Sequence, residues 1–395
     1  MHIYADYAAT APLRREVLEA MTPWLTGGYG NASSIYGIAR EAKKALEDAR
    51  RSVAASLGVL PEEVYFTSGG TESDNWALKG AMEFGAKQDF RHMVTTVIEH
   101  PGILQTAAWL ERQGFEITTL PVDGKGLITP EQTAAAVRKD TRLVSVVHAN
   151  NEIGTIQPIA DIFRAVKEKN PKTICHTDAV QSAGHIPVPL ENVDMLSLSA
   201  HKMGGPKGTG ALIVRRSVQI APLIHGGGHE RGRRSGTENV AGAVGLATAL
   251  ALGVSEMPKS VPRLTALRDR LIASLLNIPY SRLTGDPEHR LPGHVSVVFE
   301  CVEGESMVLG LDLNGICASS GSACSSGSLD PSHVLLAVGL PHEIAHGSVR
   351  LTIGGEISEA EVDFLAETTG RVVAERRAMS PVWDQDHQKP IPFEV

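Results

Sequence analysis

The sequence predicts an α/β fold in which helices cover a mainly parallel sheet, followed by a second, smaller domain. From Arg40 to Val254, segments with the helical period alternate with short apolar runs, which is typical of a layered domain with a largely parallel sheet. Most of these runs are rich in β-branched residues, which favour strands. Seven strands are predicted, at Val64–Ser68, His92–Ile98, Glu116–Val122, Leu143–Ala149, Thr173–Thr177, Met195–Ser199 and Ala211–Arg215.

Helices are predicted between the strands, and several of them follow a capping residue or a proline. These stretches are Ala39–Leu57, Thr71–Phe84, Ile103–Arg112 and Ile159–Lys169. Ligands in open α/β sheets bind at the carboxyl ends of the strands. Polar residues that directly follow a predicted strand are therefore the first candidates for a functional site.

The segment 255–262 is polar and contains proline, and we interpret it as a link that marks a domain boundary. The second domain is predicted to contain, in order, a helix near Leu264–Leu276, a strand His294–Phe299, a helix Ser306–Asp312, a strand Val349–Ile353 and a helix Ser358–Arg377. The expected division is residues 13–258 for the large domain, residues 1–12 and 259–379 for a smaller α+β domain, and residues 380–395 for an irregular tail.

The composition is that of an ordinary soluble globular protein, with 42% hydrophobic and 21% charged residues in a chain of 395. A net charge of -8 argues against a general binder of nucleic acids or anionic membranes. The N-terminus lacks the basic start and apolar core of a signal peptide, and the weakly polar stretch Val240–Val254 is shorter than the roughly 20 residues of a membrane span. The four cysteines of the chain show no C-x-x-C spacing. We therefore expect a cytoplasmic protein without membrane contact and without a direct nucleic-acid partner.

Two predicted strands end in residues that suit pyridoxal phosphate. Lys202 follows the run Met195–Ser199 and precedes a glycine-rich stretch, while Asp178 follows the run Thr173–Thr177. The cofactor needs a lysine that holds its aldehyde as a Schiff base and a carboxylate that keeps its ring nitrogen protonated. Taken singly, a surface lysine and a helix-capping aspartate are the ordinary alternatives. Together at one sheet edge, the two residues favour the cofactor.

A phosphate site is predicted where a strand passes through Gly69 and Gly70 into a helix that starts near Thr71. Free backbone N–H groups and the positive end of the helix dipole favour an anion there, and glycine lets the backbone approach it. Hydroxyl caps after glycine turns are common, so this motif becomes informative only beside Lys202.

Two more polar residues follow predicted strands. His100 could stack on the pyridine ring and move protons near neutral pH, and its alternative is an ordinary loop histidine. Asn151 could donate a hydrogen bond to the phenolic oxygen of the cofactor or to a substrate carboxylate, and its alternative is a turn-forming asparagine.

Two residues of the second domain are candidates for substrate chemistry. Cys324 lies among Ser, Gly and Ala, which cannot build a core, so we expect a reactive thiol rather than a buried structural one. Arg350 interrupts a strand pattern with a charge and could clamp a substrate carboxylate, although an arginine facing solvent on an edge strand is the alternative. No metal is expected, because no histidine or cysteine spacing matches a known ligand pattern.

Segments along almost the whole chain resemble the class V, fold-type I pyridoxal-phosphate enzymes, and among them the cysteine desulfurases of the NifS/IscS kind. The matching segments are Tyr4–Thr10, Gly30–Ser34, Thr67–Ser73, Asn150–Gly154, Ser199–Lys202, Arg234–Asn239 and Ser319–Cys324. The resemblance implies a fold-type I transferase with a large cofactor-binding domain and a smaller C-terminal domain that carries the catalytic cysteine.

The resemblance also implies a role for each candidate residue. Lys202, Asp178, Gln181 and His100 are implied to carry the Schiff base, pair with the ring nitrogen, bind the phenolic oxygen and stack on the ring, respectively. The phosphate is implied to bind to Gly70, Thr71, Ser199 and His201, joined by Thr237 of the partner subunit in a homodimer, and the substrate carboxylate to Asn151 and Arg350.

The implied reaction converts L-cysteine to L-alanine and leaves the sulfur on Cys324 as a persulfide. Iron–sulfur cluster assembly is the expected use of this sulfur, with a scaffold or another sulfur-acceptor protein as partner. A selenocysteine lyase is the nearest alternative, and the presence of Cys324 in a full-length loop favours the desulfurase. A non-catalytic scaffold of the same fold is an alternative of another class, and the presence of Lys202, Asp178, His100 and Cys324 argues against it.

Overall fold

The computed structural model describes residues 2–321 and 330–391, in which short strands alternate with helices along the chain. The strands are β1 (Ile3–Tyr4), β2 (Val64–Thr67), β3 (His92–Thr96), β4 (Glu116–Leu120), β5 (Thr141–Ser145), β6 (Ile174–Asp178), β7 (Met195–Ser199), β8 (Gly210–Val214), β9 (Ser281–Leu283), β10 (His294–Phe299), β11 (Ile316–Cys317), β12 (Ser348–Thr352), β13 (Trp383–Asp384) and β14 (Lys389–Pro390). The helices are α1 (Arg15–Thr26), α2 (Gly37–Leu57), α3 (Gly70–Ala86), α4 (Pro101–Arg112), α5 (Pro130–Ala136), α6 (Ile159–Lys169), α7 (His229–Gly232), α8 (Val240–Leu276), α9 (Gly304–Asp312), α10 (His333–Ala337), α11 (His342–Ala345) and α12 (Glu359–Ala378).

Within the described ranges, the largest sheet has seven strands in the order β2-β8-β7-β6-β5-β3-β4. Strand β8 runs antiparallel to both of its neighbours, and the other pairs are parallel. These are the seven strands that the apolar runs predict, so the predicted α/β class with a mainly parallel sheet is confirmed. The chain beyond β5 stays beside β6, where the N–H of His148 donates to the carbonyl of Asp178 at 2.9 Å. This pairing brings the segment that contains Asn151 to the end of β6.

Helices cover both faces of this sheet. Leu196 and Leu198 of β7 belong to a buried cluster with residues of α2, α6 and α8. Met195 of the same strand belongs to a second cluster, which contains Trp76 of α3 and Ile103 of α4. Because successive side chains of a strand point to opposite faces, two apolar layers explain why both faces of the central strands are buried.

A smaller sheet follows, in the order β12-β10-β9, with antiparallel pairing. Its core contains Val297 of β10, Leu311 of α9, Val349 of β12 and Leu365 of α12. Strand β1 at the N-terminus pairs with β11, so the first residues of the chain join this part of the molecule. The elements of this smaller part form an apolar core of their own, here called the second core, which is separate from the two apolar layers on the large sheet.

The prediction that a link at residues 255–262 precedes a helix near Leu264–Leu276 is wrong, because this segment lies inside helix α8, which is continuous over 37 residues and contains Pro258 and Pro262. The first part of α8 is buried against the large sheet, and its last turns are buried in the second core. Packing at both ends holds the helix although each proline removes a backbone hydrogen bond. The polar composition of the segment reflects its exposure between the two cores.

Among the described residues, α8 is the one helix that is long and apolar enough to cross a membrane by length and composition, and half of its most apolar stretch is buried. It packs against α1, α2 and α12. Burial in the core accounts for its apolar residues.

The irregular tail expected from residue 380 onward is also wrong for part of its length. Strands β13 and β14 form a hairpin in which Trp383 pairs with Pro390. Trp383 is buried, and the guanidinium of Arg377 lies 4.4 Å from its ring centroid. Burial of this indole anchors the hairpin to α12, and residues 392–395 lie outside the described part of the chain.

Candidate active site

Lys202 lies in a short 3-10 turn, Ala200–Met203, directly after β7. Its Nζ donates hydrogen bonds to the carbonyl oxygens of Ala8 at 2.7 Å and Ala9 at 2.8 Å. The turn ends at Gly204, whose φ of 80° lies in the left-handed region that favours glycine. The local sequence therefore directs the amine from the sheet edge toward the N-terminal segment of the chain.

Asp178 is the last residue of β6 and is 5% exposed. Its Oδ1 accepts a hydrogen bond from the N–H of Val180 at 2.8 Å. Burial raises the pKa of Asp178, while the charges of His100 and Lys202 act in the opposite direction. A buried carboxylate in this position is stabilised in its ionised form by cationic partners.

His100 caps the N-terminus of α4, where its Nδ1 accepts a hydrogen bond from the N–H of Gly102 at 3.0 Å. Burial lowers the pKa of His100, and the charge of Lys202 lowers it further, against the effect of Asp178. Because Nδ1 accepts this bond, the neutral ring carries its proton on Nε2. The three predicted residues Lys202, Asp178 and His100 thus lie close enough to affect one another's charge.

The predicted phosphate site is a tight junction between β2 and α3. A Cβ added to Gly70 would lie 2.7 Å from Cγ2 of Val180 and 3.6 Å from Cβ of Ser199, so the backbone here is packed against the ends of β6 and β7. The first N–H groups of a helix have no partner within the helix, which leaves those of Gly70 and Thr71 suited to an anion. Ser199 is 3% exposed and ends β7 beside this junction.

The carboxylate of Glu72 lies in the first turn of α3, where it would oppose an anion. Arg234 donates two hydrogen bonds to it, at 2.8 and 3.0 Å, and the N–H of Ser68 donates a third. These partners hold the pKa of Glu72 below its ordinary value although burial acts to raise it. The ion pair offsets the negative charge of Glu72 and gives Arg234 a structural role.

His201 and Gln181 connect the same region to the N-terminal segment. Nδ1 of His201 lies 3.1 Å from Oγ1 of Thr10, and Nε2 of Gln181 donates to the carbonyl of Ala8 at 2.9 Å. Burial, together with the charges of Lys202 and Lys207, lowers the pKa of His201 to about 4, so its ring is neutral at neutral pH. Thr237 lies on an exposed loop that precedes α8.

Arg350 lies on β12 and is 2% exposed, so the alternative of a solvent-facing arginine is wrong. Its Nη1 donates to the carbonyl of Asn151 at 3.0 Å, and its Nη2 donates to Oδ1 of Asp6 at 2.9 Å. Backbone hydrogen bonds pair Arg350 with Ser319, in the segment that precedes Cys324. Cys324 itself lies outside the described residues.

The contribution of the N-terminal segment to this site was not predicted from the sequence. The carbonyls of Ala8 and Ala9 and the carboxylate of Asp6 contact three of the predicted residues. In the sequence, Tyr4–Thr10 is marked only by its resemblance to the family, and residues 1–12 are predicted to belong to the second domain. Backbone carbonyls carry no sequence signal, because every residue has one.

Glu99 is a further buried acid next to His100. Its Oε1 accepts hydrogen bonds from Oγ1 of Thr96 at 2.7 Å and the N–H of Val147 at 3.0 Å. Its Oε2 is buried and has no hydrogen-bond partner among the described residues. Burial raises the pKa of Glu99 from 4.5 to about 8. The folded protein therefore binds a proton here at pH values where the unfolded chain has released it.

We expect Glu99→Gln to reduce the loss of stability that accompanies a rise in pH. The stability contributed by the raised pKa is fully present below pH 4.5 and is lost as the pH rises through about 8. Between about pH 5 and about pH 8.5, the free energy of unfolding of the wild type should fall by about 4 kcal/mol more than that of the variant. Urea unfolding at both pH values measures this difference. Glu305→Gln, at an exposed position of α9, is the control, and equal slopes for wild type and Glu99→Gln would contradict the prediction.

The fold and the site define the class of protein. A lysine, an aspartate and a histidine meet at the carboxyl edge of a mainly parallel sheet, next to a glycine-opened helix terminus, as in fold-type I pyridoxal-phosphate enzymes. Comparison with known proteins agrees. The class-V aminotransferase family matches residues 3–365.

The chain is 50% identical to the cysteine desulfurase IscS of Methanosarcina thermophila over 388 residues, which cover 98% of this chain and 95% of that protein. Among solved structures, a NifS-like protein has 40% identity and a TM-score of 0.89, covering 95% of this chain and all of its own. A structure of SspA in complex with cysteine has 36% identity and a TM-score of 0.79, covering 89% of this chain and 99% of its own. The chain belongs to the class-V aminotransferase family, among the cysteine desulfurases of the IscS and NifS type.

Proposed function

We propose that this chain is a pyridoxal-phosphate-dependent cysteine desulfurase that converts L-cysteine to L-alanine and transfers the sulfur to Cys324. The observation that carries the proposal is the convergence of Lys202, Asp178 and His100 at one sheet edge. The similarity to SspA, whose solved structure contains cysteine, supports the same substrate.

The residues present fit the cofactor. The buried carboxylate of Asp178 has the charge that a protonated ring nitrogen requires, and such a cation would keep it ionised in spite of burial. For the phosphate, the proposed ligands are the helix terminus at Gly70 and Thr71, the hydroxyl of Ser199 and the neutral ring of His201. His100 would stack on the ring, Gln181 and Asn151 would donate to its phenolic oxygen, and Thr237 would complete the phosphate site of the partner subunit in a homodimer.

When bound, pyridoxal phosphate supplies an electron sink that makes the Cα proton of an amino acid acidic. Lys202 would hold the cofactor covalently and, once released by the substrate amine, would accept that proton. The carbonyls of Ala8 and Ala9 stabilise the resulting ammonium, because each accepts a hydrogen bond from Nζ. His100 carries a proton on Nε2 and can donate it near the reacting atoms.

Sulfur transfer is assigned to Cys324. Its thiolate would attack the substrate sulfur, so that an S–S bond forms while the bond between Cβ and sulfur breaks. The carbon keeps the electron pair of the broken bond and takes up a proton. One thiol and one cysteine thereby become one persulfide and one alanine, with no external oxidant or reductant. Arg350 and Asn151 would hold the substrate carboxylate.

The persulfide sulfur is proposed to serve iron–sulfur cluster assembly, through a scaffold or another acceptor protein. We assign the enzyme to the cytoplasm as a homodimer. The similarity to IscS along nearly the whole chain supports the desulfurase activity on which these assignments depend.

An absorption spectrum of the purified protein before and after addition of L-cysteine tests the proposal, with alanine and sulfide measured in the same sample. A yellow protein whose absorption band changes while alanine accumulates would support the desulfurase. A colourless protein that stays inert after addition of pyridoxal phosphate would instead favour a non-catalytic scaffold. Comparison of rates with L-cysteine and L-selenocysteine separates the desulfurase from a selenocysteine lyase.

We expect Gly70→Ala to weaken binding of the cofactor by about tenfold, because a methyl group would push the phosphate-binding turn away from Val180. Titration of the cofactor-free protein with pyridoxal phosphate, followed by absorbance, measures the dissociation constant. Gly355→Ala is the matched control, since a Cβ there would meet no atom within 4 Å. Unchanged affinity in Gly70→Ala would place the phosphate elsewhere.

A further inference from the structure

We propose that Asp6 is the positioning residue for Arg350, and that it fixes the guanidinium in the orientation that receives the α-carboxylate of the substrate. The inference rests on the proposed function, since it concerns how the same site recognises an amino acid. It adds a residue, and the N-terminal segment that carries it, to the substrate site.

Arg350 is a buried cation whose direct ionic partner is Asp6, at 2.9 Å from Nη2. An unpaired buried charge is costly, so the carboxylate stabilises the guanidinium before substrate arrives. The carbonyl of Asn151 holds Nη1 from another side. Both bonds together fix the plane of the guanidinium.

The guanidinium keeps donors for a second carboxylate. It has five N–H groups, and the bonds to Asp6 and Asn151 use one on each Nη. Its Nε is buried and has no hydrogen-bond partner among the described residues. A substrate carboxylate can therefore bind without displacing Asp6, provided that the plane of the guanidinium stays fixed.

Asp6 is itself held rigidly beside β12. The N–H of Thr352 donates to the carbonyl of Ala5 at 2.7 Å, and the N–H of Ala8 donates to Oγ1 of Thr352 at 2.9 Å. Asp6 forms an isolated parallel bridge with Thr352, two residues beyond Arg350. The carboxylate thus approaches the guanidinium from a neighbouring extended segment and not from a loose loop.

The same segment supports Lys202, which donates to Ala8 and Ala9 only two and three residues after Asp6. The carbonyl of Asp6 accepts the N–H groups of Ala9 and Thr10 at 3.0 and 3.3 Å, which closes a turn between the two contacts. An α-amino acid carries its carboxylate and its amine on one carbon. The turn therefore sets the spacing between the group that binds the carboxylate and the group that exchanges with the amine.

If Asp6 served only to hold its segment in place, its replacement would weaken the binding of every ligand of the site to the same extent. The segment is attached by backbone bonds at Ala5 and Ala8 and by the pairing of β1 with β11, none of which uses the carboxylate. Loss of the carboxylate should consequently leave the segment in place and release Arg350 alone. The effect should then fall on ligands that possess a carboxylate.

The experiment compares Asp6→Ala and Asp6→Asn with the wild-type holoenzyme. We expect Asp6→Ala to raise KM for L-cysteine about tenfold with kcat changed by less than about twofold, while Asp6→Asn recovers most of the affinity because its amide oxygen accepts the same bond. Titration by absorbance with L-alanine should show a similar loss of affinity. Ethylamine, which lacks the carboxylate, should bind to the variant and the wild type equally well.

Glu256→Gln is the control, because Glu256 accepts two hydrogen bonds from Arg14 in an ion pair that lies outside the site and is more exposed. Equal weakening of L-alanine and ethylamine, or a loss of kcat at constant KM, would overturn the role of Asp6. A wild-type enzyme that forms no alanine from L-cysteine would overturn the proposed function itself, which separates the two failures.

Discussion

Replacing Lys202 with alanine is expected to reduce alanine formation from L-cysteine by at least about a thousandfold. One side chain would hold the cofactor and move the Cα proton, and loss of both roles removes covalent and acid–base contributions together. The variant should also lose the covalent link to pyridoxal phosphate. Borohydride reduction followed by peptide mass spectrometry measures this link independently of turnover.

Lys207→Ala is the matched control for this substitution, since Lys207 is exposed five residues further along the chain. It should retain both the modified Lys202 peptide and the activity. A reduced cofactor adduct on another lysine of the Lys202→Ala protein would show that the wrong residue was assigned.

Replacing Cys324 with alanine is expected to lower alanine formation by at least about a hundredfold while the cofactor stays bound. Without the thiolate, the group assigned to accept the substrate sulfur is missing, although the groups that bind the cofactor and the substrate carboxylate are intact. The absorption band should therefore still respond to L-cysteine. Mass spectrometry of the wild type should find one additional sulfur atom on the peptide that contains Cys324.

Cys301→Ala provides the comparison. Cys301 is partly buried, and its thiol donates to the carbonyl of Val382 in the C-terminal hairpin, so it serves packing. This variant should form alanine at the wild-type rate. Full activity in Cys324→Ala would refute the assigned nucleophile and would direct the search to another acceptor of sulfur.

Both predictions concern a site for which the sequence correctly predicts several residues at the ends of strands. Asp178 and Ser199 close β6 and β7, and Lys202 follows within three residues, as the apolar runs indicate. A strand that is covered on both faces is rich in apolar residues, so the polar residues that follow an apolar run lie near the edge of the sheet. Residues of that kind can be located without knowledge of the fold.

The first and last residues of the strands were predicted less accurately than the existence of the strands. The predicted strand Leu143–Ala149 is observed as Thr141–Ser145. Pairing with β3 begins at Thr141, and beyond Ser145 the chain keeps hydrogen bonds to β6 at Val146 and His148 without regular strand pairing. Apolar residues continue beyond Ser145, and their burial beneath the site resembles that of a strand. Hydropathy reports burial, whereas the limits of a strand depend on its neighbours.

The sequence by itself determined the layered α/β class, the seven strands of the main sheet and the residues at their ends, since these follow from local patterns of burial. Tertiary structure alone decided that α8 crosses residues 255–262 without a break, because packing at its two ends outweighs two prolines. It also decided that Arg350 pairs with Asp6 and that Lys202 donates to the carbonyls of Ala8 and Ala9. These contacts join residues about 190 to 340 positions apart, and they form through backbone carbonyls and a buried ion pair whose geometry no local pattern encodes.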